Sequence, residues 1–206
     1  MTKRRATKAC SRIVRRIEIH DGRRCVIVVI QDPFFWAFIG VFGLLAGTAL
    51  VSGTKLGKNA VLGFAVVMVC DMARIILVLP FCLQPRFEIG VWNWIAGGTI
   101  LAAACVFAVP ALSIKWWAAP ERNMILRTSG IYGIVRNPIY FADLLFSLGV
   151  SIMFRSIIGV ALVPVWWASF LFVVLTEEES LERTLGQPYL DYRRRVKGRI
   201  IPGLPI

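Results

Sequence analysis

The chain predicts an all-α integral membrane protein, and three observations point there. Its 206 residues are 57% hydrophobic and yet carry a formal charge of +12, with a mean hydropathy of +0.69. Five apolar runs come close to the roughly 20 residues that a helix needs to cross a bilayer. Lys and Arg gather outside those runs, in both tails and in the connections. A soluble domain of this length, or a nucleic-acid binder of this charge, would not be so apolar. Apolar residues in the bilayer and basic ones at anionic head groups, worth roughly 1 kcal/mol each, account for both numbers. Membrane lipids are the expected partners, and nucleic acid is not.

Residues 1–32 read as a basic surface segment, with nine Lys or Arg within 1–24. The first ten residues have the composition of a disordered or surface-bound tail. Between Ile13 and Ile30 apolar and charged residues alternate around Asp21-Gly22, a hairpin pattern. An amphipathic segment lying on the membrane fits the same pattern. The first apolar run of useful length begins near Pro33, too far in for an ordinary signal peptide.

Residues 33–114 hold three expected spans, at about 33–52, 60–82 and 91–114. A short turn with Gly53, Lys55, Gly57 and Lys58 joins the first two. Trp92, Trp94, Trp116 and Trp117 flank the third, where an interfacial aromatic belt belongs. Residues 115–206 begin with a polar connection, 115–137. Spans at 138–154 and 157–176 follow, joined at Arg155-Ser156 as an antiparallel hairpin. A polar stretch, helical to about Lys197, completes the chain. Five spans put the two tails on opposite sides. Lys and Arg divide almost evenly between those sides, so the positive-inside rule selects no orientation.

Cys10, Cys25, Cys70, Cys82 and Cys105 are scattered, with no C-x-x-C, and His20 is the single histidine. Metal-site spacing is absent, and neither a metal nor a structural disulfide is expected. Cys70 and Cys105 lie in apolar runs and read as small hydrophobes.

Two polar clusters carry the chemistry. The first is the hinge Gly130–Tyr140. Pro138 suits the first turn of a helix and biases Asn137 away from helical angles, so a helix starts at Pro138 with Asn137 as N-cap. Its first amides offer an anion site, with Arg136 just outside it. A capped membrane helix with a snorkelling Arg reads equally well. The second cluster is Glu177-Glu178-Glu179, unfavourable with the dipole if the helix ends there. If the helix continues, one carboxylate can point back at the hinge, to accept from hydroxyls or hold an amine or a cation. A solvated acidic turn balanced by Arg183 and Arg193-Arg194-Arg195 is the plainer reading. Asp71 and Arg74, at i, i+3 inside the second span, form either a polar substrate pocket or a self-contained pair.

Taken together, these clusters resemble the isoprenylcysteine carboxyl methyltransferase and phospholipid methyltransferase superfamily of integral membrane enzymes. The resemblance rests on Thr128-Ser129-Gly130, Tyr132, Arg136-Asn137-Pro138 and Tyr140. After a hairpin it continues with Glu177-Glu178, Leu181, Leu185-Gly186, Tyr189, Tyr192, Arg199 and Pro202. It covers about residues 120–203. It implies S-adenosylmethionine in a pocket between hinge, hairpin and C-terminal helix. Tyr132, Arg136, Asn137 and Tyr140 would line that pocket, and Glu177 and Glu178 would close it. It also implies methyl transfer to a lipophilic acceptor, a carboxylate or an amine, entering from the bilayer. The site of this multi-pass protein is expected on the cytoplasmic face. Two departures stand out. Asn137 replaces the His of the eukaryotic prenyl-cysteine enzymes, and Val173-Val174-Leu175 occupies the turn where those enzymes carry an Arg.

A second reading is an NADPH-dependent membrane reductase, since Arg136, Tyr140, Asp143 and the tail Arg199-Ile200-Ile201-Pro202-Gly203 also resemble the sterol reductases. The paired glutamates and the short chain favour the methyltransferases.

Overall fold

The computed structural model describes residues 27–53, 60–112 and 126–204. Helices α1 (Pro33–Gly53), α2 (Ala60–Val78) and α3 (Trp92–Leu112) precede a 3-10 turn, Gly130–Gly133. Then come α4 (Pro138–Met153), α5 (Ile157–Ala161), α6 (Val163–Leu185) and α7 (Gln187–Arg195). Among the described residues the only β pairing is an isolated bridge between Arg86 and Ser156. The expected all-helical class is the observed one. The Asp21-Gly22 hairpin, Lys55, Gly57, Lys58, Trp116, Trp117, Cys10 and Cys25 lie outside the described residues.

Helix α3 is apolar on every side, and its stretch Trp92–Ala111 is long and apolar enough to cross a membrane. The apolar stretches Pro33–Ala49 and Pro138–Met153 are shorter. Helix α2 carries Asp71 and Arg74, and α6 carries its glutamates in its last third. Among the described residues, one of the five expected spans meets the length and apolarity of a crossing by itself.

The expected run 157–176 is not one helix. It breaks at Leu162 between α5 and α6, with Pro164 in the first turn of α6. Proline lacks the N–H that a continuous helix needs there, yet suits a helix start. Helix α6 then runs 23 residues, to Leu185. The three glutamates thus lie inside a helix, clear of its last turn, and the conflict with the dipole does not arise. The polar stretch beyond is not continuous either: Gly186, with φ +60°, ends α6 and starts α7.

Helices α3 and α4 make the most extensive helix contact. A Cβ on Gly97 would sit 2.7 Å from the Gly149 carbonyl oxygen and 2.9 Å from the Met153 nitrogen. Such close backbone approach needs small residues at the crossing. Asn93 Nδ2 donates to the Met153 carbonyl at 2.6 Å and pins the same pair of ends. Gly97→Ala is expected to cost about 1–3 kcal/mol, because neither backbone atom can yield. Gly98, where a Cβ meets nothing within 4 Å, tolerates the same change. Thermal unfolding of the two variants in detergent checks the difference.

A core of Leu44, Cys70, Leu144, Trp166, Phe170 and Val174 fills the space between α1, α2, α4 and α6. Ile200 joins that core from the C-terminal tail. A second cluster, Tyr189, Tyr192 and Val196, seats α7 beside the hinge. At the opposite end of the bundle Arg86 donates to the Val78 carbonyl (3.2 Å) and the Leu79 carbonyl (2.7 Å), fixing the end of α2.

Candidate functional site

Gly130, with φ +64°, opens the 3-10 turn Gly130–Gly133 that precedes α4. Asn137 is the N-cap of α4 with extended-side angles (φ −124°, ψ 69°), and Pro138 occupies the first turn. Its side chain does not cap the helix. It donates instead to Glu178 Oε1 (3.3 Å) and to the Arg199 carbonyl (3.1 Å). The hinge is strapped to the C-terminal tail through its backbone. Arg136 N donates to the Gly198 carbonyl (2.9 Å) and Asn137 N to the Arg199 carbonyl (3.0 Å).

Glu178 is the centre of this junction and is only 4% exposed. Arg136 Nε donates to its Oε1 at 2.8 Å, and Nη2 donates to Oε2 at 3.3 Å. Arg199 Nε reaches Oε2 at 3.0 Å. Two guanidinium groups and one amide thus converge on one carboxylate, with the fork geometry that makes arginine–carboxylate contacts strong. Arg136 Nη1 donates to the Val196 (2.7 Å) and Lys197 (3.2 Å) carbonyls. Arg136, read from the sequence as standing just outside an anion site or as a snorkelling side chain, is buried and bonded to Glu178 and to two carbonyls.

Glu177 is the opposite case. It lies at the surface, and its carboxylate accepts from the Tyr140 hydroxyl at 2.7 Å. No cation among the described residues pairs with it. Tyr140 rests on Phe170, with ring centroids 5.5 Å apart. Glu179 turns away to Arg183, and Glu182 meets Arg193 at 3.1 Å. One acidic run therefore holds a buried clamp residue, an unpaired carboxylate and a surface ion pair.

Tyr132 lies in the 3-10 turn, and its carbonyl accepts from the Tyr192 hydroxyl at 2.8 Å. Burial pushes the Tyr192 hydroxyl up to about 12. Burial likewise raises Tyr189, with the Glu178 charge adding to it. Tyr132 is raised by burial against the pull of Arg127. All three stay protonated near neutral pH.

Asp71 and Arg74 do pair, and the pair is part of a larger tie. Arg74 Nη2 also donates to both oxygens of Asp143 on α4, at 2.8 and 2.7 Å, and Nη1 donates to Ser147 Oγ at 3.1 Å. The guanidinium carbon lies 5.5 Å from the Trp166 ring and 5.1 Å from the Phe170 ring. A cavity of about 10 Å³ beside it, touched by Arg74, Ser147, Ser151 and Trp166, has room for about one water. The self-contained reading of this pair is closer to the structure than a pocket, and Asp143 was missing from it. A lone acid in the apolar run 138–153 was the available signal.

The structure brings Arg136, Asn137 and Glu178 into one cluster, sets Tyr140 and Glu177 beside it, and keeps Tyr132 on the hinge wall. Asp71 and Arg74 stand apart, joined to α4 through Asp143, one turn below Tyr140. Arg199 was legible only as a motif position, and its approach to Glu178 was not.

The phospholipid methyltransferase family profile matches residues 93–188, a stretch that contains both clusters. Protein-S-isoprenylcysteine O-methyltransferase B of Arabidopsis thaliana is 34% identical over 77 residues, covering 37% of this chain and 39% of that protein. The Schizosaccharomyces pombe protein-S-isoprenylcysteine O-methyltransferase is 33% identical over 85 residues, 40% of this chain and 36% of that protein. The enzyme of that name from Mus musculus is 38% identical over 72 residues, 34% of this chain and 25% of that protein. Each match thus spans less than two-fifths of the relative's length. No solved structure matches. These relatives are methyltransferases, and the reductase reading gains no support from them. The profile match and the two clusters make this stretch of the chain similar to the phospholipid methyltransferase family and to the isoprenylcysteine O-methyltransferases.

Proposed function

We propose that this protein is a multi-pass membrane methyltransferase that uses S-adenosylmethionine to methylate a lipophilic acceptor. The observation that carries the reading is the Arg136–Glu178 ion pair, which joins the two halves of the family pattern in one buried contact. The five apolar runs are read as five crossings, with shorter helices tilting less or thinning the bilayer locally. The hinge and the C-terminal tail then lie at the cytoplasmic face, with Arg193, Arg194, Arg195 and Lys197 near anionic head groups.

The charges around the junction fit a zwitterionic methyl donor. Arg136 and Arg199 against Glu178 leave one surplus positive charge, and Glu177 leaves one uncompensated negative charge close by. When bound, S-adenosylmethionine supplies a methyl group activated by its sulfonium. Glu177 holds the donor's amine, oriented by the Tyr140 hydroxyl. Arg136, Asn137 and Glu178 lock the hinge in shape, and Tyr132 forms a wall. Asp71 and Arg74 serve the acceptor side by fixing α2 against α4, not by binding. Alignment of acceptor and methyl carries most of the rate, so no nucleophile–base pair is required.

Glu177→Gln tests the assignment. With a tritiated methyl donor and membrane lipid extract, the wild type is expected to label an organic-extractable product. The variant should need about ten-fold more donor, the loss of one charge-assisted contact, with its unfolding temperature unchanged. Equal donor requirement in both proteins contradicts the role of Glu177. No labelled product from the wild type, with any acceptor fraction, contradicts the function.

A further inference from the structure

The two guanidinium groups on Glu178 differ in what they leave free. Arg136 donates through Nε, Nη1 and Nη2, to both carboxylate oxygens and to two carbonyls. Arg199 meets Glu178 through Nε alone, and its two terminal nitrogens have no partner among the described residues. Every buried side-chain nitrogen and oxygen among those residues does have a partner. The terminal nitrogens of Arg199 are therefore reachable from outside.

The rest of Arg199 is held firmly. Its side chain is 14% exposed. Its carbonyl accepts from both the backbone and the side chain of Asn137, and the next residue, Ile200, is buried in the main core. An arginine anchored at Nε and along its backbone, with four N–H groups open, is a preorganised fork for a planar anion. The surplus positive charge of the cluster and the N-terminus of α4, bonded to the same residue, act in the same direction.

We propose that Arg199, and not Arg136, provides the carboxylate subsite for the methyl donor. Its free terminal N–H groups take the amino-acid carboxylate, while its Nε keeps Glu178 in the hinge clamp. This rests on the methyl-donor reading above and names a residue outside the matched stretch 93–188. A phosphate of an anionic lipid offers the same fork a similar partner, so the experiment separates the two sources.

Binding is measured by calorimetry in neutral detergent, for wild type, Arg199→Gln and Arg199→Lys. The ligands are S-adenosylhomocysteine and its decarboxylated analogue, and the first is repeated with added phosphatidylglycerol. The wild type is expected to prefer the carboxylate-bearing ligand by roughly ten- to a hundred-fold, the range for a hydrogen-bonded charge. Arg199→Gln removes that preference and leaves the analogue's affinity within about two-fold, and Arg199→Lys keeps part of it. The ratio of two affinities on one sample does not depend on the fraction folded.

An unchanged preference in Arg199→Gln overturns the assignment. So does a variant that loses only a competition between phosphatidylglycerol and S-adenosylhomocysteine, which assigns the fork to lipid phosphate. A wild type that binds neither ligand overturns the methyl-donor reading itself, a result distinct from both.

Discussion

Glu178→Ala is expected to destabilise the protein by about 3–5 kcal/mol, the loss seen when one partner of a buried ion pair is removed. Two guanidinium groups, Arg136 and Arg199, would then face each other without the carboxylate between them. The amide of Asn137 would lose one of its acceptors as well. Because the hinge, α6 and the tail meet at this residue, the damage extends to their docking, and Tyr192 is expected to become accessible. Glu178→Gln keeps one acceptor oxygen and should fall between wild type and alanine. Unfolding in detergent, followed by tyrosine and tryptophan fluorescence, measures the series. A loss below about 1 kcal/mol for the alanine variant, the range of exposed pairs, would contradict the clamp.

Arg74→Met carries the second large effect, also about 3–5 kcal/mol. Its side chain is 6% exposed, and it stands between Asp71 and Asp143. Removing it sets two carboxylates against each other within the helical bundle, where charge is costly. Adding Asp71→Leu and Asp143→Leu to Arg74→Met should recover most of the loss, since an apolar replacement of a whole buried cluster is often neutral. The effects of the three changes are then far from additive, as expected for groups in contact. A mild Arg74→Met, within about 0.5 kcal/mol, would show that the cluster does not hold α2 to α4.

Much of this architecture was legible in the sequence, for reasons that also explain what was not. The helix start at Pro138 followed from a local steric rule, and so did the non-helical angles of Asn137. The meeting of hinge and acidic cluster followed from the single hairpin between them. The break at Leu162 was signalled by Pro164, but a long apolar run hid it, since an all-round apolar helix has no periodicity to interrupt. Which of three consecutive glutamates turns inward depends on the phase of α6, and that phase depends on the break. Glu178 could therefore not be told from Glu177. The commitment of Arg136, the role of Arg199 and the partnership of Arg74 with Asp143 are long-range pairings, and no local pattern encodes them. Asn137 shows the same limit: its position as N-cap was readable, its side-chain partners across the tail were not.

Ligand titration tests whether the hinge and the acidic cluster form a site for a methyl donor. Calorimetry of the purified protein with S-adenosylhomocysteine and, separately, with NADPH should give saturable binding of the first and none of the second. Saturable NADPH binding with no heat from S-adenosylhomocysteine would contradict the account.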